Sequence, residues 1–499
     1  MQSPPAEQPT ASERRQRIGL VLGPVVFVLV LLLPTPGSLT PEGQRAGAVA
    51  LLMAIWWVSE ALPLAATALV PLVLFPLLSV LPTGDTAARY ADPVVFLFMG
   101  GFIIGLAMER SGLHKRLGFA ILRSVGGSQR RMLLGFMLAT AFISMWVSNT
   151  AAAVMMFPIA TFVAVQSLGD REAPAGKTWF GSILMLGIAY SASVGGVVTL
   201  IGTPPNAIFA GQAALLFPSD KPVSFLSWMI FATPLAVGFL AVVYAYLTFL
   251  LRRARHDSAA SVAPITNDLG RWTREQKWVL VVFVVAAMGW IGRGDVDIGG
   301  VTIPGWSTVF GLEGIHDATI AILAALLLFA VPLRWRPLTF AMDWDTAKRL
   351  PWNVLLLFGG GFALAEAFTT TGLAQWLASG LDDLGSLPTF VIVLMVCLLV
   401  TFLTEVTSNT ATASMLMPIM AAAAIAMDVH PYTLMVPATV SASFAYMLPT
   451  ATPPNAVVMG SDYVTVPLMA RTGFVLNLLG AVWITAMVML LAGPVLEAR

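Results

Sequence analysis

The chain is a succession of long apolar segments separated by short polar ones. The apolar segments fall near 18–33, 46–59, 64–81, 93–108, 131–164, 179–210, 226–251, 278–292, 318–333, 352–368, 388–427, 433–460 and 474–493. Many approach the roughly 20 residues that an α-helix needs to cross the hydrocarbon core of a bilayer. Their apolar character is continuous rather than alternating, which favours helices over half-buried strands. The pattern therefore predicts an all-α polytopic protein whose surroundings are a lipid bilayer.

Two of these segments, 131–164 and 388–427, are long for one crossing and carry a polar break near the centre. The break reads Ser-Asn-Thr in both, at 148–150 and at 408–410. Irregular backbone at membrane depth is tolerated only where it is buried in protein or lines a cavity. We interpret each segment as a re-entrant hairpin that enters and leaves on the same side. The remaining segments predict about eleven transmembrane helices.

A second polar motif follows each hairpin. Thr-Pro-Pro-Asn occurs at 203–206 and again at 452–455. Two prolines cannot continue a helix, because they remove backbone donors and clash with the preceding turn. The carbonyl groups freed before them are hard oxygen ligands of the kind that suits Na⁺. Interrupted helices at matching places in two halves of a chain indicate a transporter binding site.

The two halves are copies of one another. An offset of 260 residues aligns Ser148 with Ser408, Gly-Gly-Phe at 100–102 with 360–362, Gly-Leu at 112–113 with 372–373, and Pro158 with Pro418. Ser-Ala-Ser at 191–193 recurs at 441–443, so about ten residues are missing from the second copy. An odd number of predicted crossings separates the hairpins. The copies are therefore expected to be inverted, with the hairpins opening to opposite sides of the membrane.

Charge adds an absolute orientation. Of all residues, 58% are hydrophobic and 11% are charged, against about 25% charged in soluble domains, and the mean hydropathy is +0.84. With the N-terminus placed in the cytoplasm, the 27 lysines and arginines lie on the cytoplasmic side except Arg45, Arg89, Lys221, Arg293 and Arg499. This asymmetry follows the positive-inside rule and places the C-terminus outside.

The predicted organisation has four parts. Residues 1–45 form a tail and first transmembrane helix, and 46–251 form repeat 1 with the inward-opening hairpin 131–164. Residues 252–277, rich in arginine and then in small polar residues, form a cytoplasmic linker. Residues 278–499 form repeat 2 with the outward-opening hairpin 388–427. The short-looped, alanine- and leucine-rich chain looks prokaryotic, which predicts a multi-pass protein of the inner membrane.

The motifs indicate anion binding that depends on cations. A helix that starts at a hairpin tip offers backbone N–H groups and a positive dipole end to an anion. An asparagine amide can donate to a carboxylate, and its oxygen can ligate a cation. None of the four motifs contains lysine or arginine. A bound dianion would then need nearby cations, which is the physical basis of symport.

Other chemistry finds little support in the sequence. Cys397 is the single cysteine, which rules out a disulfide within one chain and a cysteine metal cluster. The four histidines are scattered, so we expect no transition-metal site and no catalytic cluster. We also expect no organic cofactor and no nucleic-acid partner. Glu405 lies three residues before Ser408, where the first copy has Met145. It is read either as a proton site or as a residue that faces water or the subunit interior.

The combination of two Ser-Asn-Thr motifs, each followed by Thr-Pro-Pro-Asn, resembles the divalent anion:sodium symporter family. The resemblance covers about residues 18 to 496. It implies eleven spans, two hairpins, a homodimer with a static scaffold, and an elevator-like transport domain. It also implies a bacterial carrier that couples Na⁺ to uptake of a C4-dicarboxylate such as succinate, malate or fumarate. A sulfate or citrate carrier, a sodium-independent or proton-coupled exchanger, and an anion channel stay open as alternatives.

The same resemblance implies specific ligands. The first sodium site would use Ser144, Ser148, Asn149 and the carbonyl of Gly202. The second would use Thr404, the carbonyl of Thr407, Asn409 and the carbonyl of Ala451. The substrate residues implied are Ser148, Asn149, Thr150, Thr203, Ser408, Asn409, Thr410, Thr452 and Pro453. The expected partners are thus a small dianion and sodium ions, with no other metal.

Overall fold

Helices dominate the structure, a computed structural model that describes residues 11–125, 128–166, 178–220, 222–253, 270–298, 301–380 and 387–496. The helices of the first half are α1 (Ala11–Leu32), α2 (Pro41–Ser59), α3 (Leu64–Ala68), α4 (Val70–Leu77), α5 (Thr83–Ala88), α6 (Pro93–Ser111), α7 (Leu113–Val125), α8 (Gln129–Ser144), α9 (Asn149–Gln166), α10 (Trp179–Gly196), α11 (Pro204–Leu216) and α12 (Phe225–Arg253). Most of the predicted linker, residues 254–269, lies outside the described residues.

The second half repeats this succession of helices. Its helices are α13 (Arg274–Ile291), α14 (Trp306–Val309), α15 (Asp317–Ala330), α16 (Trp344–Ala347), α17 (Trp352–Thr370), α18 (Leu373–Ser379), α19 (Thr389–Thr404), α20 (Asn409–Ala426), α21 (Tyr432–Ala442), α22 (Pro453–Met459) and α23 (Val466–Leu496). Two small antiparallel hairpins depart from the all-α prediction: β1 (Val296–Ile298) with β2 (Val301–Ile303), and β3 (Pro332–Trp335) with β4 (Leu338–Phe340).

Seven helical stretches among the described residues are long and apolar enough to cross a bilayer. They are Glu13–Leu32, Thr83–Ser111, Trp179–Gly196, Phe225–Arg252, Trp352–Thr370, Asn409–Ala426 and Val466–Leu496. The predicted segment 64–81 is divided at Leu69, because Pro71 follows at the start of α4 and has no N–H to donate to the preceding turn. Shorter apolar helices at 64–77, 149–165, 317–330 and 389–404 accompany the long ones.

Two glycines aligned by the repeat both let helices approach closely. A Cβ built on Gly100 would lie 2.6 Å from the backbone carbon of Ala321 in α15. A Cβ built on Gly360 would lie 2.6 Å from the carbonyl oxygen of Ala68 in α3. Small residues at such contacts allow backbones to pack in membrane bundles. The duplicated Gly-Gly-Phe motif therefore marks equivalent helix contacts in the two halves.

The single cysteine belongs to the buried interior. Cys397 lies in α19 and is 0% exposed. The hydroxyl of Thr485, in α23, donates to its sulfur at 3.7 Å. The thiol is therefore packed between two helices of the second half.

Candidate functional site

Each predicted re-entrant segment is a pair of helices joined by a short link at the Ser-Asn-Thr motif. In the first, α8 ends at Ser144 and α9 begins at Asn149; in the second, α19 ends at Thr404 and α20 begins at Asn409. The amide of residue 151 donates to the Ser148 side chain at 3.3 Å, which caps the start of α9. The motif therefore starts a helix in each half, and the first-turn N–H groups that no capping side chain satisfies can bind a ligand.

Each Thr-Pro-Pro-Asn motif restarts an interrupted helix. Thr203 precedes α11 with φ −144° and ψ 142°, and Thr452 precedes α22 with φ −148° and ψ 143°. The extended threonine and the first proline that follows fit the start of a helix, where a missing N–H costs nothing. The two copies therefore adopt the same backbone geometry, as their sequences predict.

The asparagine of that motif holds the unwound link before it. Asn206 is fully buried, and its amide nitrogen donates to the carbonyls of residues 196, 197 and 199 at 3.2, 3.0 and 2.7 Å. Asn455 donates in the same way to the carbonyls of residues 445 and 448 at 3.1 and 3.0 Å. These bonds replace helical partners that the link has lost. Both asparagines position backbone rather than reach the cavity.

Three oxygen atoms converge behind the first hairpin tip. The Ser144 hydroxyl lies 2.6 Å from Oδ1 of Asn149 and 2.7 Å from the carbonyl oxygen of Ala192. A hydroxyl has one hydrogen to donate, so it satisfies one of these two acceptors at a time. The surplus of oxygen lone pairs at a buried position suits a small cation. We call this group the first oxygen cluster.

The second half builds the same cluster from its own residues. The Thr404 hydroxyl lies 2.7 Å from Oδ1 of Asn409 and 3.0 Å from the carbonyl oxygen of Ala442. We call this group the second oxygen cluster. The carbonyls of Ala192 and Ala442 were not among the predicted ligands. Their signal in the sequence is the repeated Ser-Ala-Ser at 191–193 and 441–443, at whose centres they lie.

One cavity of about 1090 Å³ contacts both hairpin tips and both unwound links. The predicted site residues that line it are Ser148, Asn149, Thr150, Gly202, Thr203, Thr407, Ser408, Asn409, Thr410, Ala451, Thr452 and Pro453. Ser144 and Thr404 lie behind this surface, are 0% exposed, and touch the cavity-lining asparagines. The structure thus brings together residues that are 260 positions apart in the sequence.

Charged residues at the same cavity were not among the predicted site residues. Arg15, Glu60, Glu109 and Arg349 all line it. Arg15 pairs with Glu60 at 3.4 Å and donates to the carbonyl of Val406, beside the second hairpin tip, at 3.0 Å. No short-range pattern connects these residues, because they come from four distant helix ends.

Glu405 lies inside the protein and binds backbone. Its Oε1 accepts from the amides of Tyr446 and Met447 at 2.7 and 2.9 Å and from Nδ2 of Asn477 at 2.7 Å. Its Oε2 accepts from the amide of Leu448 at 3.0 Å. Four donors surround a side chain that is 3% exposed. The sequence left Glu405 as a proton site or as a residue that faces water or the subunit interior. Its burial agrees with a side chain that faces the subunit interior.

Two helical hairpins and two interrupted helices that meet at one cavity define a helical membrane transporter. The chain belongs to the sodium:sulfate symporter family, since the family model described as the sodium:sulfate symporter transmembrane region matches residues 14–496. Within the described residues, no group of three histidines, cysteines or acids is placed to hold a metal ion.

Two curated relatives carry the same name. The sodium-dependent dicarboxylate transporter SdcS of Staphylococcus saprophyticus is 42% identical over 492 residues, which is 96% of this chain and 92% of that protein. The sodium-dependent dicarboxylate transporter SdcS of Staphylococcus aureus is 40% identical over 483 residues, with 95% and 90% covered. The similarity therefore spans both repeats.

Two solved structures share the fold at low identity. The YdaH transporter of Alcanivorax borkumensis aligns with a TM-score of 0.55 and 18% identity over 81% of this chain and 87% of that one. MtrF of Neisseria gonorrhoeae, described with a class of antimetabolite efflux pumps, aligns with a TM-score of 0.53 and 12% identity over 95% of this chain and 96% of that one. Both support a transporter fold.

Proposed function

We propose that the protein is a secondary active transporter that couples sodium entry to the uptake of a C4-dicarboxylate such as succinate, malate or fumarate. The observation that carries the proposal is the pair of matched oxygen clusters, one behind each hairpin tip, at a single cavity. The names of the two staphylococcal relatives support both the ion and the substrate class.

Sodium would be held by oxygen atoms alone. In the first repeat the sodium ligands are Ser144, Ser148, Asn149 and the carbonyl of Gly202, to which the geometry adds the carbonyl of Ala192. In the second repeat they are Thr404, Asn409 and the carbonyls of Thr407 and Ala451, with that of Ala442 added. Neutral hydroxyl, amide and carbonyl oxygens suit a weakly bound monovalent cation that must also leave.

The dianion would lie between the two tips. Asn149 and Thr150 begin α9, and Asn409 and Thr410 begin α20, so each carboxylate would face the positive end of one helix. Thr203, Thr452 and Pro453, with the motif serines Ser148 and Ser408, complete the lining. Because these groups are neutral, the cations bound behind the tips would supply the attraction at the tips, while Arg15 and Arg349 add positive charge elsewhere on the cavity lining.

The whole assembly is proposed from the family resemblance: a homodimer in the inner membrane, with an elevator-like domain that carries the cavity across. The N-terminus would be cytoplasmic and the C-terminus periplasmic. Arg15 and Arg349, which the charge asymmetry assigns to the cytoplasmic side, line the cavity together with Glu60 and Glu109. That placement supports a cavity open to the cytoplasm. The names of the relatives support a transport role, and our proposal includes no enzymatic chemistry and no organic cofactor.

Uptake of radiolabelled succinate into proteoliposomes tests the function. Uptake should rise with an inward sodium gradient and fall to background when choline replaces Na⁺. An excess of fumarate or malate should compete, whereas sulfate and citrate should compete weakly. Equal uptake in sodium and in choline would reject sodium coupling, and stronger competition by sulfate or citrate would change the substrate.

The asparagines at the tips test the site. Asn149→Ala and Asn409→Ala each remove an amide that lines the cavity and whose oxygen belongs to an oxygen cluster. We expect each variant to lose succinate uptake by at least about 100-fold, since both a cation ligand and a substrate donor disappear. Size-exclusion profiles of the purified variants should match the wild type. Near-normal uptake by both variants would refute this placement of the site.

A further inference from the structure

The two repeats differ at one charged position next to their oxygen clusters. Met145 follows Ser144 in the first repeat, and Glu405 follows Thr404 in the second. Met145 is half-buried, whereas the carboxylate of Glu405 is enclosed by backbone amides. A buried acid in a membrane protein is costly unless hydrogen bonds satisfy it. The second repeat therefore carries a buried carboxylate, satisfied by hydrogen bonds, where the first repeat has a neutral side chain.

The same two repeats also differ in how far their interrupted helices continue. Alignment of Ser-Ala-Ser at 191–193 with 441–443 places Gly196 opposite Tyr446. Helix α10 continues to Gly196, but α21 ends at Ala442, four residues before the equivalent position. The unwound link is therefore about one helical turn longer in the second repeat.

Glu405 binds the amides that this lost turn leaves without helical partners. In the first repeat, the amides of Val197 and Val198 still bond to carbonyls three residues earlier, at 3.3 and 3.1 Å. In the second repeat, the amides of residues 446–448 point to the Glu405 carboxylate instead, at 2.7 to 3.0 Å. Buried backbone N–H groups need a partner. The carboxylate thus takes the place of one helical turn.

Helix α23 completes this arrangement from the other side. Asn477 is fully buried and donates to the same carboxylate at 2.7 Å. A Cβ on Gly473 would meet backbone atoms of Tyr446 and Met447, so α23 lies directly against the link. The link therefore lies between Glu405, which directly follows α19, and helix α23. We call the hydrogen bonds of Glu405 to residues 446–448 and to Asn477 the carboxylate clamp.

Two segments of the chain connect the clamp to the second cation site. Thr404, whose hydroxyl joins that cluster, immediately precedes Glu405. Leu448, whose amide the clamp binds, accepts from the amide of Ala451 at 3.2 Å and from Asn455 at 3.0 Å. The carbonyl proposed as a cation ligand, on Ala451, is therefore tied to the clamp through one turn.

We propose that Glu405 is a positioning residue that pre-forms the second cation site and makes it the tighter of the two. It fixes the link that carries the Ala451 carbonyl, and its negative charge favours a nearby cation. The first site has no such carboxylate and keeps a more helical link, so its ligands must adjust when the ion binds. The second site then fills first. This inference rests on the proposed sodium coupling.

Glu405→Gln tests the proposal with little change in shape. The amide keeps one acceptor oxygen but loses the charge and turns a donor toward the backbone amides. Charge-assisted hydrogen bonds are roughly twice as strong as neutral ones. We expect the sodium concentration for half-maximal thermal stabilisation of the detergent-purified protein to rise about tenfold. In proteoliposomes, the sodium dependence of uptake should shift equally, while the succinate KM at saturating sodium changes less than about twofold.

Two further variants separate positioning from general damage. Asn477→Ala removes one of the four donors but leaves the charge, so the sodium shift should be smaller, about threefold. Met145→Gln places the same side chain at the equivalent position of the first repeat, and the tighter sodium-binding step should be unchanged.

The outcomes distinguish the proposals. A Glu405→Gln protein that folds and titrates with sodium like the wild type would overturn the clamp but leave sodium coupling standing. If Glu405→Gln does not purify as a single species, Asn477→Ala decides: wild-type sodium titration of that variant would overturn the clamp. Sodium-independent uptake by the wild type would instead reject the proposed function itself. A shift of the succinate KM as large as that of sodium would overturn the assignment of Glu405 to the second cation site.

Discussion

Replacing Thr404 with valine removes one hydroxyl from the second oxygen cluster and changes the side-chain shape very little. Thr404 is fully buried, and its hydroxyl bridges Oδ1 of Asn409 and the carbonyl of Ala442 at 2.7 and 3.0 Å. Valine would remove the hydroxyl hydrogen, which one of these two oxygens can accept at a time. It would also remove one of the proposed cation ligands, so the loss should fall on sodium binding.

The size of the effect follows from the loss of one oxygen ligand in the ion-bound state. Leaving a buried polar or charged group without one of its partners costs about 1–3 kcal/mol. Because this cost falls on the state that holds the ion, it appears as lost sodium affinity. The half-saturating sodium concentration should then rise between about 5- and 150-fold. The maximal rate at saturating sodium should change much less, because the cavity-lining surface is intact.

Thr401→Val is the matched control. Thr401 lies one turn earlier in the same helix, is also fully buried, and its hydroxyl has no hydrogen-bond partner in the described part of the chain. Succinate uptake into proteoliposomes, measured over a range of sodium concentrations, compares the two variants. Equal sodium dependence in Thr404→Val and Thr401→Val would refute the assignment of the Thr404 hydroxyl to a cation site.

Two further predictions concern the scaffold of the site. Gly195→Ala should lower the thermal unfolding temperature of the purified protein by several degrees, because a Cβ there would meet the backbone of Ala141 in α8. Asp317→Ala should destabilise the protein by about 3 kcal/mol, because the Arg293 guanidinium would lose its carboxylate partner. Asp317→Asn should cost less, because its oxygen can still accept from the amide of Phe225, now bonded at 3.2 Å.

Each of these has a comparison that isolates its cause. Gly84 is a helical glycine with nothing within 4 Å of an added Cβ, so Gly84→Ala should be neutral or slightly stabilising. If Gly195→Ala unfolds at the same temperature as Gly84→Ala, the close helix contact is wrong. If Asp317→Asn and Asp317→Ala unfold at the same temperature, the hydrogen bond from the amide of Phe225 contributes nothing measurable to stability.

The parts of the site that residue type specifies were predictable. Proline cannot continue a helix, so the breaks before α11 and α22 follow from Thr-Pro-Pro-Asn alone. Ser-Asn-Thr in the middle of a long apolar segment predicts a tip, and both tips line the cavity. Duplication strengthens each prediction, because one motif could be a helix cap whereas an ordered pair could hardly arise by chance.

The parts built from backbone or from distant residues were not predictable. The carbonyls of Ala192 and Ala442 carry no residue-type signal of their own, since every residue has a carbonyl group; the repeated Ser-Ala-Ser marks only their position. Glu405 was visible as a buried acid, but its partners are amides that only an unwound α21 exposes. Arg15 and Arg349 reach the cavity from helix ends far apart in the chain. These contacts depend on tertiary packing rather than on local pattern.

The enclosed position of Cys397 has a practical consequence for measuring motion. It is the single cysteine of the chain and is 0% exposed, so thiol-reactive probes have no accessible natural target in the folded protein. Reporter cysteines introduced at the surface of the two halves should accept fluorophores or spin labels without prior removal of the native one. Spectroscopic distances could then follow the two hairpins through a transport cycle in an otherwise unaltered background.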